Sequence, residues 1–507
     1  MSRAHSKSRR DILRSLAVGA AVAASPLGLG RHAAAATGRV RLPDSIGEAG
    51  KLLRSGRVSV TELVSSYLRG ARQLEPLVNP FITITDAHAL ATAAVLDAEL
   101  RAGQSRGPLH GIPVVYKDNI DTAGLPTTRG SRYYSTRVAT TDAEVVRKLK
   151  AAGAVLLGKA NMNEFAAGVA GLNQYYGNTA NPWDLARWSG GSSSGSGVAV
   201  RSGLCLGALG TDTGVSVRGP ASWMGLVGVR PSYGRVSVRG TYPRAYSLDT
   251  VGPLTRTVED AALMLNAIAG FDPEDPYAVP APADDFTADL NRSVDGLRLG
   301  IVEDFTFRNV DPEVAAAVQR AIGRLEARGA RIETVRIPLF TGRIDFRYPL
   351  TILLYEFNQI LGPTYRAEPD KSFFGPVVQA NIAQGAQISQ ATYEDAIARR
   401  PGEIEEIRRV FDSVDAFITP THPFVAPPFS FAAEGNPGVR QFTVPVSYTG
   451  FPAVSVPCGF TSSGLPIGMQ IVADDFEERL LFRIAAALEQ VAHLERREPP
   501  IQWDEEL

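Results

Sequence analysis

In the stretch GGSSSGSGVAVRSGLCLGALGTDTGVSVRGP, residues 190–220, Ser192 and Ser216 lie in two separate glycine-rich loops. Ser192 follows the first pair of glycines, and Ser216 lies in the second loop, 24 residues further along the chain. A short apolar segment separates the two loops. Glycine lets the backbone adopt positive φ and approach a ligand closely. A serine displayed on such backbone can perform acyl transfer when a proton acceptor lies nearby.

A lysine upstream is the candidate proton acceptor. The segment GIPVVYKD, residues 111–118, has the pattern of a buried apolar strand that ends at Lys117. Lysine accepts a proton only when it is neutral, and its reference pKa is about 10.4, so work near neutral pH needs a depression of about 2–3 units. Desolvation of a buried amine produces shifts of that size. Asp118 would oppose the shift, but strand alternation directs it to the other side.

Together, the two serine loops and the strand that ends in lysine resemble the amidase signature family, from about Ile46 to the C-terminal helix. The resemblance implies that Ser216 is the nucleophile, that Ser192 is a bridging serine held in a cis peptide, and that Lys117 is the terminal base. Four more segments match the family in the same order, and they are residues 158–162 (GKANM), 227–231 (VGVRP), 247–249 (SLD) and 464–468 (GLPIG).

The backbone around the second serine is the candidate oxyanion hole. Its donors would be the N–H groups of Thr213, Gly214, Val215 and Ser216. Loss of one such donor in other enzymes costs about 10²–10³ in rate. Ser193 and Thr179 are candidate substrate contacts, although structural roles within the loops explain both residues as well.

Val215 departs from the family, which usually has glycine directly before the nucleophile. A β-branched residue resists positive φ, at a cost of about 1–3 kcal/mol. The position therefore has negative φ, or the loop is rearranged, or activity is impaired. A valine side chain could also narrow the acyl pocket, so we expect an active enzyme with an altered acyl preference.

Alternating strand and helix patterns predict an α/β fold. We expect one large domain with a central mixed, mostly twisted β-sheet, covered by helices on both faces. Asp142 is predicted to cap a helix, and residues 340–400 carry scattered aromatics without clean periodicity. A strand–helix–strand unit is predicted at residues 297–302, 311–328 and 330–336, with further strands at 114–116, 153–158, 416–418, 453–456 and 468–472.

Residues 1–36 have the features of a twin-arginine signal peptide, ahead of an amidase domain at 37–507. A region with paired arginines precedes an apolar run from Leu16 to Leu29 and four alanines that end at Ala36. The apolar run is shorter than the roughly 20 residues that span a bilayer. We therefore expect cleavage after Ala36, export to the periplasm or exterior of a bacterium, and no stable membrane insertion of the mature chain.

Composition excludes some classes of partner. The 52 basic and 53 acidic residues give a net charge of −1, which offers no electrostatic footprint for nucleic acid. The chain has no H-E-x-x-H pattern and no Cys/His cluster, so we expect no metal and no cofactor. Cys205 and Cys458 lie in apolar runs and are predicted to be buried free thiols, although export would also permit a disulfide.

The sequence therefore predicts a serine amidohydrolase. It would cleave the carboxamide of a small molecule or peptide to a carboxylate plus ammonia or an amine, through an acyl-enzyme on Ser216. Three alternatives stay open: an acyltransferase, the glutaminase subunit of a tRNA-dependent amidotransferase, and a catalytically impaired amidase-like binding protein. The export signal and the neutral charge argue against the glutaminase subunit. Analogy with the family also allows a homodimer.

Overall fold

The computed structural model describes residues 41–282, 284–340, 347–431, 437–491 and 497–503, so the predicted signal peptide lies outside the described residues. The α-helices of the described part are α1 (Ile46–Arg54), α2 (Val60–Val78), α3 (Asp86–Arg101), α4 (Glu144–Ala151), α5 (Ser194–Arg201), α6 (Arg218–Met224), α7 (Val258–Ile268), α8 (Pro312–Glu326), α9 (Arg347–Ala367), α10 (Pro376–Ala386), α11 (Gln390–Arg408), α12 (Val444–Thr449) and α13 (Glu478–Val491). The strands are β1 (Phe81–Ile84), β2 (Pro113–Lys117), β3 (Val155–Ala160), β4 (Ala180–Asn181), β5 (Asp184–Trp188), β6 (Gly207–Asp212), β7 (Val227–Arg230), β8 (Thr250–Thr255), β9 (Arg298–Val302), β10 (Arg331–Val335), β11 (Ala416–Pro420), β12 (Ala453–Phe460) and β13 (Pro466–Val472).

Within the described residues, 11 of these strands form one mixed sheet in the order β1-β3-β2-β6-β8-β7-β12-β13-β11-β9-β10. Strand β2 is parallel to both of its neighbours, β3 and β6, and β9 is parallel to β10 and β11. The strands between these two parallel groups pair antiparallel. Helices flank the sheet, and the predicted α/β fold with a mixed sheet is confirmed.

The strands near the first serine loop, β2, β3 and β6, are fully enclosed by the rest of the fold. Every residue of β2, β3 and β6 is buried. Continuous burial of this kind is typical of parallel strands that are covered by helices. The predicted strand–helix–strand unit near the middle of the chain is also present, with β9 parallel to β10 and with α8 between them in sequence.

Two local predictions differ from the structure. Asp142 does not cap α4, which begins after Ala143 without a side-chain cap. The Asp142 carboxylate instead accepts hydrogen bonds from the Ala123 N–H and the Lys150 ammonium, both at 2.8 Å, because it lies one residue too early to reach the first helical turn. Residues 347–408 form α9, α10 and α11, whose aromatics are divided among several contacts, such as the stack of Tyr355 on Tyr393 at 4.2 Å. When the apolar residues of a helix face several different neighbours, they do not form a single stripe, and the sequence then shows no clean helical periodicity.

Both cysteines are free and buried in the structure, as predicted. Burial raises the pKa of Cys205 and of Cys458 to about 12, so neither thiol ionises near neutral pH. Among the described helices, none combines the length and the apolar character that crossing a bilayer requires.

Gly252 in β8 is a position that cannot accept a side chain. A β-carbon built there would lie 1.9 Å from the carbonyl oxygen of Val229 in β7. We expect Gly252→Ala to lower the free energy of unfolding by about 3 kcal/mol, because the central strands must move apart. Gly323→Ala on the exposed side of α8 is the matched control, since nothing lies within 4 Å of the added carbon, and it should stabilise by about 0.5–1 kcal/mol. Denaturant titrations that place both variants at the same stability would contradict this packing.

Candidate active site

Two adjacent parallel strands bring the first site residues together. Lys117 is the last residue of β2, and β6 beside it ends at Thr211 and Asp212. The carboxyl ends of parallel strands meet at one edge of a sheet, where ligand sites commonly form. The Lys117 Nζ atom accordingly lies 2.8 Å from Thr211 Oγ1 and 3.3 Å from the Thr211 carbonyl oxygen.

Ser192 is the third contact of the lysine amine. Its Oγ lies 2.7 Å from Lys117 Nζ, and both side chains are fully buried. The resemblance implied a cis peptide at this serine, and the Gly191–Ser192 bond is cis. The Ser192 carbonyl oxygen accepts a hydrogen bond from the Asn163 N–H at 3.2 Å, which fastens the first serine loop to the segment after β3.

The two serine loops touch each other at Ser216. The Ser193 N–H donates to the Ser216 carbonyl oxygen at 3.3 Å. Ser216 is 6% exposed, whereas Lys117 and Ser192 are 0% exposed. The structure thus brings the three predicted catalytic residues into one neighbourhood, with Ser216 nearest to solvent. In that position Ser216 is the first of the three side chains that a substrate would reach, whereas Lys117 is shielded from solvent.

Burial determines the protonation of Lys117. Desolvation lowers the pKa of its amine to about 7, against smaller opposing effects of the Asp249 and Asp212 carboxylates. Its hydrogen-bond partners in the described part of the chain are two hydroxyl groups and one carbonyl oxygen. Because none of these partners is an anion, burial outweighs the opposing effects and a large share of the amine is neutral at neutral pH.

Two of the nearby carboxylates are held by other cations. Asp118 pairs with Lys159, with 3.1 Å between Oδ1 and Nζ, on the side that strand alternation predicted. Asp212 accepts a hydrogen bond from Arg218 Nε at 3.0 Å and lies 3.6 Å from Arg230 Nη1. Burial alone would raise the pKa of Asp212, but the two arginines hold it below its usual range. Asp118 and Asp212 are therefore paired with other cations rather than with Lys117.

Asp249 is held by neutral donors. Its carboxylate accepts from the Thr213 hydroxyl and from the backbone N–H groups of Arg244 and Ala245, the latter two at 2.7 and 3.1 Å. Burial raises the pKa of Asp249, so negative charge is disfavoured there. Asp249 thereby positions the second serine loop, and its charge opposes the lowering of the Lys117 pKa less strongly than burial promotes it.

Residues 213–216, termed the nucleophile loop, connect β6 to the start of α6. Asp212 Oδ2 accepts from the N–H groups of Val217 and Arg218 at 3.2 and 3.3 Å, which fixes the far end of the loop. Within the described residues, none of the four N–H groups of the nucleophile loop donates to a protein acceptor. These donors are the ones predicted for the oxyanion hole, and they remain available for a developing negative charge.

Val215 has ordinary backbone geometry. Its φ is negative, so the strain considered from sequence does not arise. Its side chain is 3% exposed, and a β-carbon built on Gly219 would lie 2.8 Å from Val215 Cγ2. The valine therefore packs against α6, which gives no support to the prediction that it narrows the acyl pocket.

The hydroxyls of Ser193 and Thr179 bond within the protein. Ser193 Oγ donates to the Thr211 carbonyl oxygen at 3.3 Å, and Thr179 Oγ1 accepts from Ser194 Oγ at 3.2 Å. Both residues are fully buried. Their placement favours a role in holding the loops, and substrate contact by either residue stays a prediction.

Sequence reasoning missed Thr211 and Asn119. Thr211 Oγ1 accepts hydrogen bonds from Lys117 Nζ and, at 3.2 Å, from Asn119 Nδ2. Both residues lie close in sequence to predicted site residues, but a threonine and an asparagine beside glycine-rich turns carry no distinguishing signal. Only the pairing of β2 with β6 places Thr211 against the Lys117 amine, and Asn119 contacts Thr211 rather than the amine.

A cavity of about 280 Å³ lies beside this site, with Thr211, Asp249 and Tyr246 among its lining residues. Neither Ser192 nor Ser216 is among its lining residues. In the described ranges, no group of three or more His, Cys, Asp or Glu side chains is arranged to hold a metal ion.

Comparison with known proteins identifies similar chains over nearly the whole length. The family model described as Amidase matches residues 62–482. One relative is a subunit of the glutamyl-tRNA(Gln) amidotransferase of Thermosynechococcus vestitus. It is 38% identical over 476 residues, which cover 89% of this chain and 98% of that protein.

Solved structures share the fold. The peptide amidase of Stenotrophomonas maltophilia superposes with a TM-score of 0.78 at 30% identity, over 90% of this chain and 98% of that one. The corresponding glutamyl-tRNA(Gln) amidotransferase subunit from Thermotoga maritima gives a TM-score of 0.75 at 33% identity, over 88% of this chain and 94% of that one. The matched region contains the sheet, both serine loops and Lys117. By sequence and by fold, this chain belongs to the amidase signature family.

Proposed function

We propose that this protein cleaves a carboxamide through an acyl-enzyme on Ser216. The supporting observation is the buried Lys117 amine, whose pKa is lowered to about 7 and whose Nζ lies 2.7 Å from Ser192 Oγ. An amine of ordinary pKa is protonated at neutral pH and cannot accept a proton. A desolvated amine can, and it activates a hydroxyl that is otherwise a weak nucleophile.

In the proposed reaction, Ser216 Oγ attacks the amide carbon while its proton passes to Ser192, and the Ser192 proton passes to Lys117. The free N–H groups of the nucleophile loop bind the oxyanion. When the C–N bond breaks, a proton returns by the same route to the leaving nitrogen, which departs as ammonia or an amine. Water then attacks the acyl ester, so that the carboxylate leaves and Ser216 regains its proton.

Two settings share this chemistry: a stand-alone amidase, and the amide-hydrolysing subunit of a tRNA-dependent amidotransferase. The similar subunits of glutamyl-tRNA(Gln) amidotransferases are 36–39% identical to this chain over 95–100% of their own length, which favours the second setting. Such a subunit is expected to copurify with a partner chain and to hydrolyse glutamine efficiently only in that complex. A stand-alone amidase is expected to turn over amides as the isolated chain, and an acyltransferase would transfer the acyl group to an added amine.

Ser216→Ala is expected to lower amide hydrolysis by about 10³-fold or more, because the remaining donors cannot form the acyl-enzyme. A fluorophosphonate probe should label the wild-type chain and fail to label Ser216→Ala. Ser463→Ala, an exposed serine between β12 and β13, is the matched control and should be labelled like wild type. Equal labelling of Ser216→Ala would contradict the assignment, and an unlabelled wild-type chain would indicate a catalytically impaired binding protein.

The pH profile reports on the lysine. Since the pKa of Lys117 is lowered to about 7, the neutral base dominates above that pH and the inactive ammonium dominates below it. The value of kcat/KM should therefore fall about tenfold per pH unit below about 7 and be level above it. Lys117→Arg keeps a charge throughout this range and should be inactive at every pH. A level wild-type profile down to about pH 5 would exclude Lys117 as the base.

Export by a twin-arginine signal is proposed from the sequence pattern of residues 1–36 alone, and export of the chain would favour the stand-alone amidase over the amidotransferase subunit. Mass spectrometry of the protein secreted by its host should show a mature chain that begins at Thr37. Replacement of Arg9 and Arg10 by lysine should retain the protein in the cytoplasm, because the paired arginines are the transport signal. A secreted protein with an intact N-terminus would contradict cleavage.

A further inference from the structure

The cavity of about 280 Å³ beside the candidate active site extends from buried residues to exposed ones. Thr211 and Asp249 line it and are buried, whereas Glu274 and Tyr277 line it and are exposed. A ligand can therefore enter from the exposed side. Since a cavity of about 150 Å³ holds one benzene molecule, this one has room for a ring with a short substituent.

Two tyrosine rings form part of the cavity wall. Tyr246 and Tyr277 stack with 5.9 Å between their ring centroids and 14° between their planes. Burial raises the pKa of both phenols, so the two rings are uncharged near neutral pH. The faces of such rings attract organic cations.

The segment that carries Glu274, Asp275 and Tyr277 is fastened to the rest of the cavity wall. The Asp272 carboxylate accepts hydrogen bonds from Ser237 Oγ at 2.8 Å and from Arg239 Nε at 2.7 Å. Seven residues further along, the Val279 N–H donates to a backbone carbonyl oxygen at 3.0 Å. Both ends of the segment are held in this way, so the cavity is preformed, as ligand sites commonly are.

Arg239 lines the cavity, but carboxylates already surround its guanidinium group. Its nitrogens lie 2.7 Å from Asp272, 3.0 Å from Glu144 and 3.2 Å from Glu274. Glu144 also pairs with Arg147, at 2.6 Å. Arg239 is therefore engaged by anions of the protein and offers little to an anionic ligand.

Asp275 contributes negative charge to the lining. Its carboxylate accepts hydrogen bonds from the backbone N–H groups of Val238 and Tyr277, at 2.7 and 2.9 Å. In the described part of the chain, no basic side chain forms an ion pair with Asp275, which is 5% exposed. A buried carboxylate is stabilised when an opposite charge approaches it. The cavity therefore favours a cation.

The inner end of the cavity adjoins the catalytic groups. Thr211, which lines it, lies 2.8 Å from Lys117 Nζ through its hydroxyl. Asp249, which also lines it, accepts a hydrogen bond from Thr213 of the nucleophile loop. A ligand in the cavity would thus contact residues that hold the proposed proton relay and the nucleophile loop.

We propose that this cavity binds a small organic ammonium ion that carries an apolar group. The rings of Tyr246 and Tyr277 attract the charge through their faces, and Asp275 supplies the opposite charge. Val238 and Val251 line the same cavity and contact the apolar group. The site is additional to the proposed acyl transfer and does not depend on it.

Other ligand classes fit the cavity less well. An anion would meet the carboxylates of Asp275 and Glu274 while Arg239 is already engaged. A bare metal ion needs several oxygen ligands, and among the described residues no group of three or more acidic, His or Cys side chains could hold one. A neutral aromatic molecule would fill the space but would leave Asp275 without an opposite charge.

The test is calorimetry with two probes of the same shape. Phenyltrimethylammonium is charged at every pH and cannot accept an acyl group, and tert-butylbenzene has a carbon in place of its nitrogen. The wild-type protein, with any copurifying partner, should bind the ammonium probe at least about tenfold more tightly. Tyr277→Leu should abolish this preference, and Tyr277→Phe should retain it because the ring is kept. Tyr175→Leu removes an exposed tyrosine that does not line the cavity and should change nothing.

A second variant tests the charge. Glu274→Gln, at the exposed side of the cavity, should weaken binding of the ammonium probe about threefold and leave tert-butylbenzene unaffected. Equal affinity for the two probes, or wild-type binding by Tyr277→Leu, would overturn the proposal.

Occupation of Ser216 separates this site from the acyl-transfer site. A chain whose Ser216 carries the fluorophosphonate label should bind the ammonium probe with unchanged affinity, because Ser216 is not among the lining residues. Loss of binding on labelling would place the probe in the acyl-transfer site and overturn the proposal. If no amide is hydrolysed but the unlabelled chain shows the preference for the charged probe, the proposed function fails and the ammonium site stands.

Discussion

The amine of Lys117 is kept out of water, and the proposed chemistry depends on that exclusion. Moving the pKa of a lysine from 10.5 to about 7 corresponds to roughly 5 kcal/mol of lost stabilisation of its charged form. The sheet supplies this by burying the ends of β2 and β6 completely. Hydroxyl groups surround the amine instead of carboxylates, so the interior provides a route for a proton but no counter-ion.

The carboxylates near the lysine are arranged to preserve that state. Asp118 is engaged by Lys159, and Asp212 is engaged by two arginines. Removing one partner of such a buried pair typically costs about 3–5 kcal/mol, because the remaining charge is left alone. Asp212 Oδ2 also accepts hydrogen bonds from the backbone N–H groups of Val217 and Arg218, directly after the nucleophile loop. One side chain therefore pairs with the nearby arginines and fixes the end of the loop that carries the candidate oxyanion donors.

The proposed proton relay lies in a part of the chain that is shared with proteins of different function. The relay residues lie on strand ends and glycine-rich loops within the region matched by the family model, and similar proteins include amidotransferase subunits and a peptide amidase. Family membership therefore indicates the kind of chemistry, whereas the substrates named for these similar proteins differ from one another.

The sequence by itself determined the fold class and the catalytic candidates. The glycine spacing, the two serines and the lysine at the end of an apolar strand were sufficient, because backbone freedom and strand periodicity depend on residues that are neighbours in the chain. The tertiary structure decided the rest. Thr211 meets Lys117 only because β2 pairs with β6, and Val215 is a packing residue because its side chain lies against Gly219 of α6. Lys117 and Ser192 are 75 positions apart, and nothing local in either segment places their side chains 2.7 Å from each other. The pKa of a buried amine depends on everything that surrounds it, and those surroundings are assembled from distant parts of the chain.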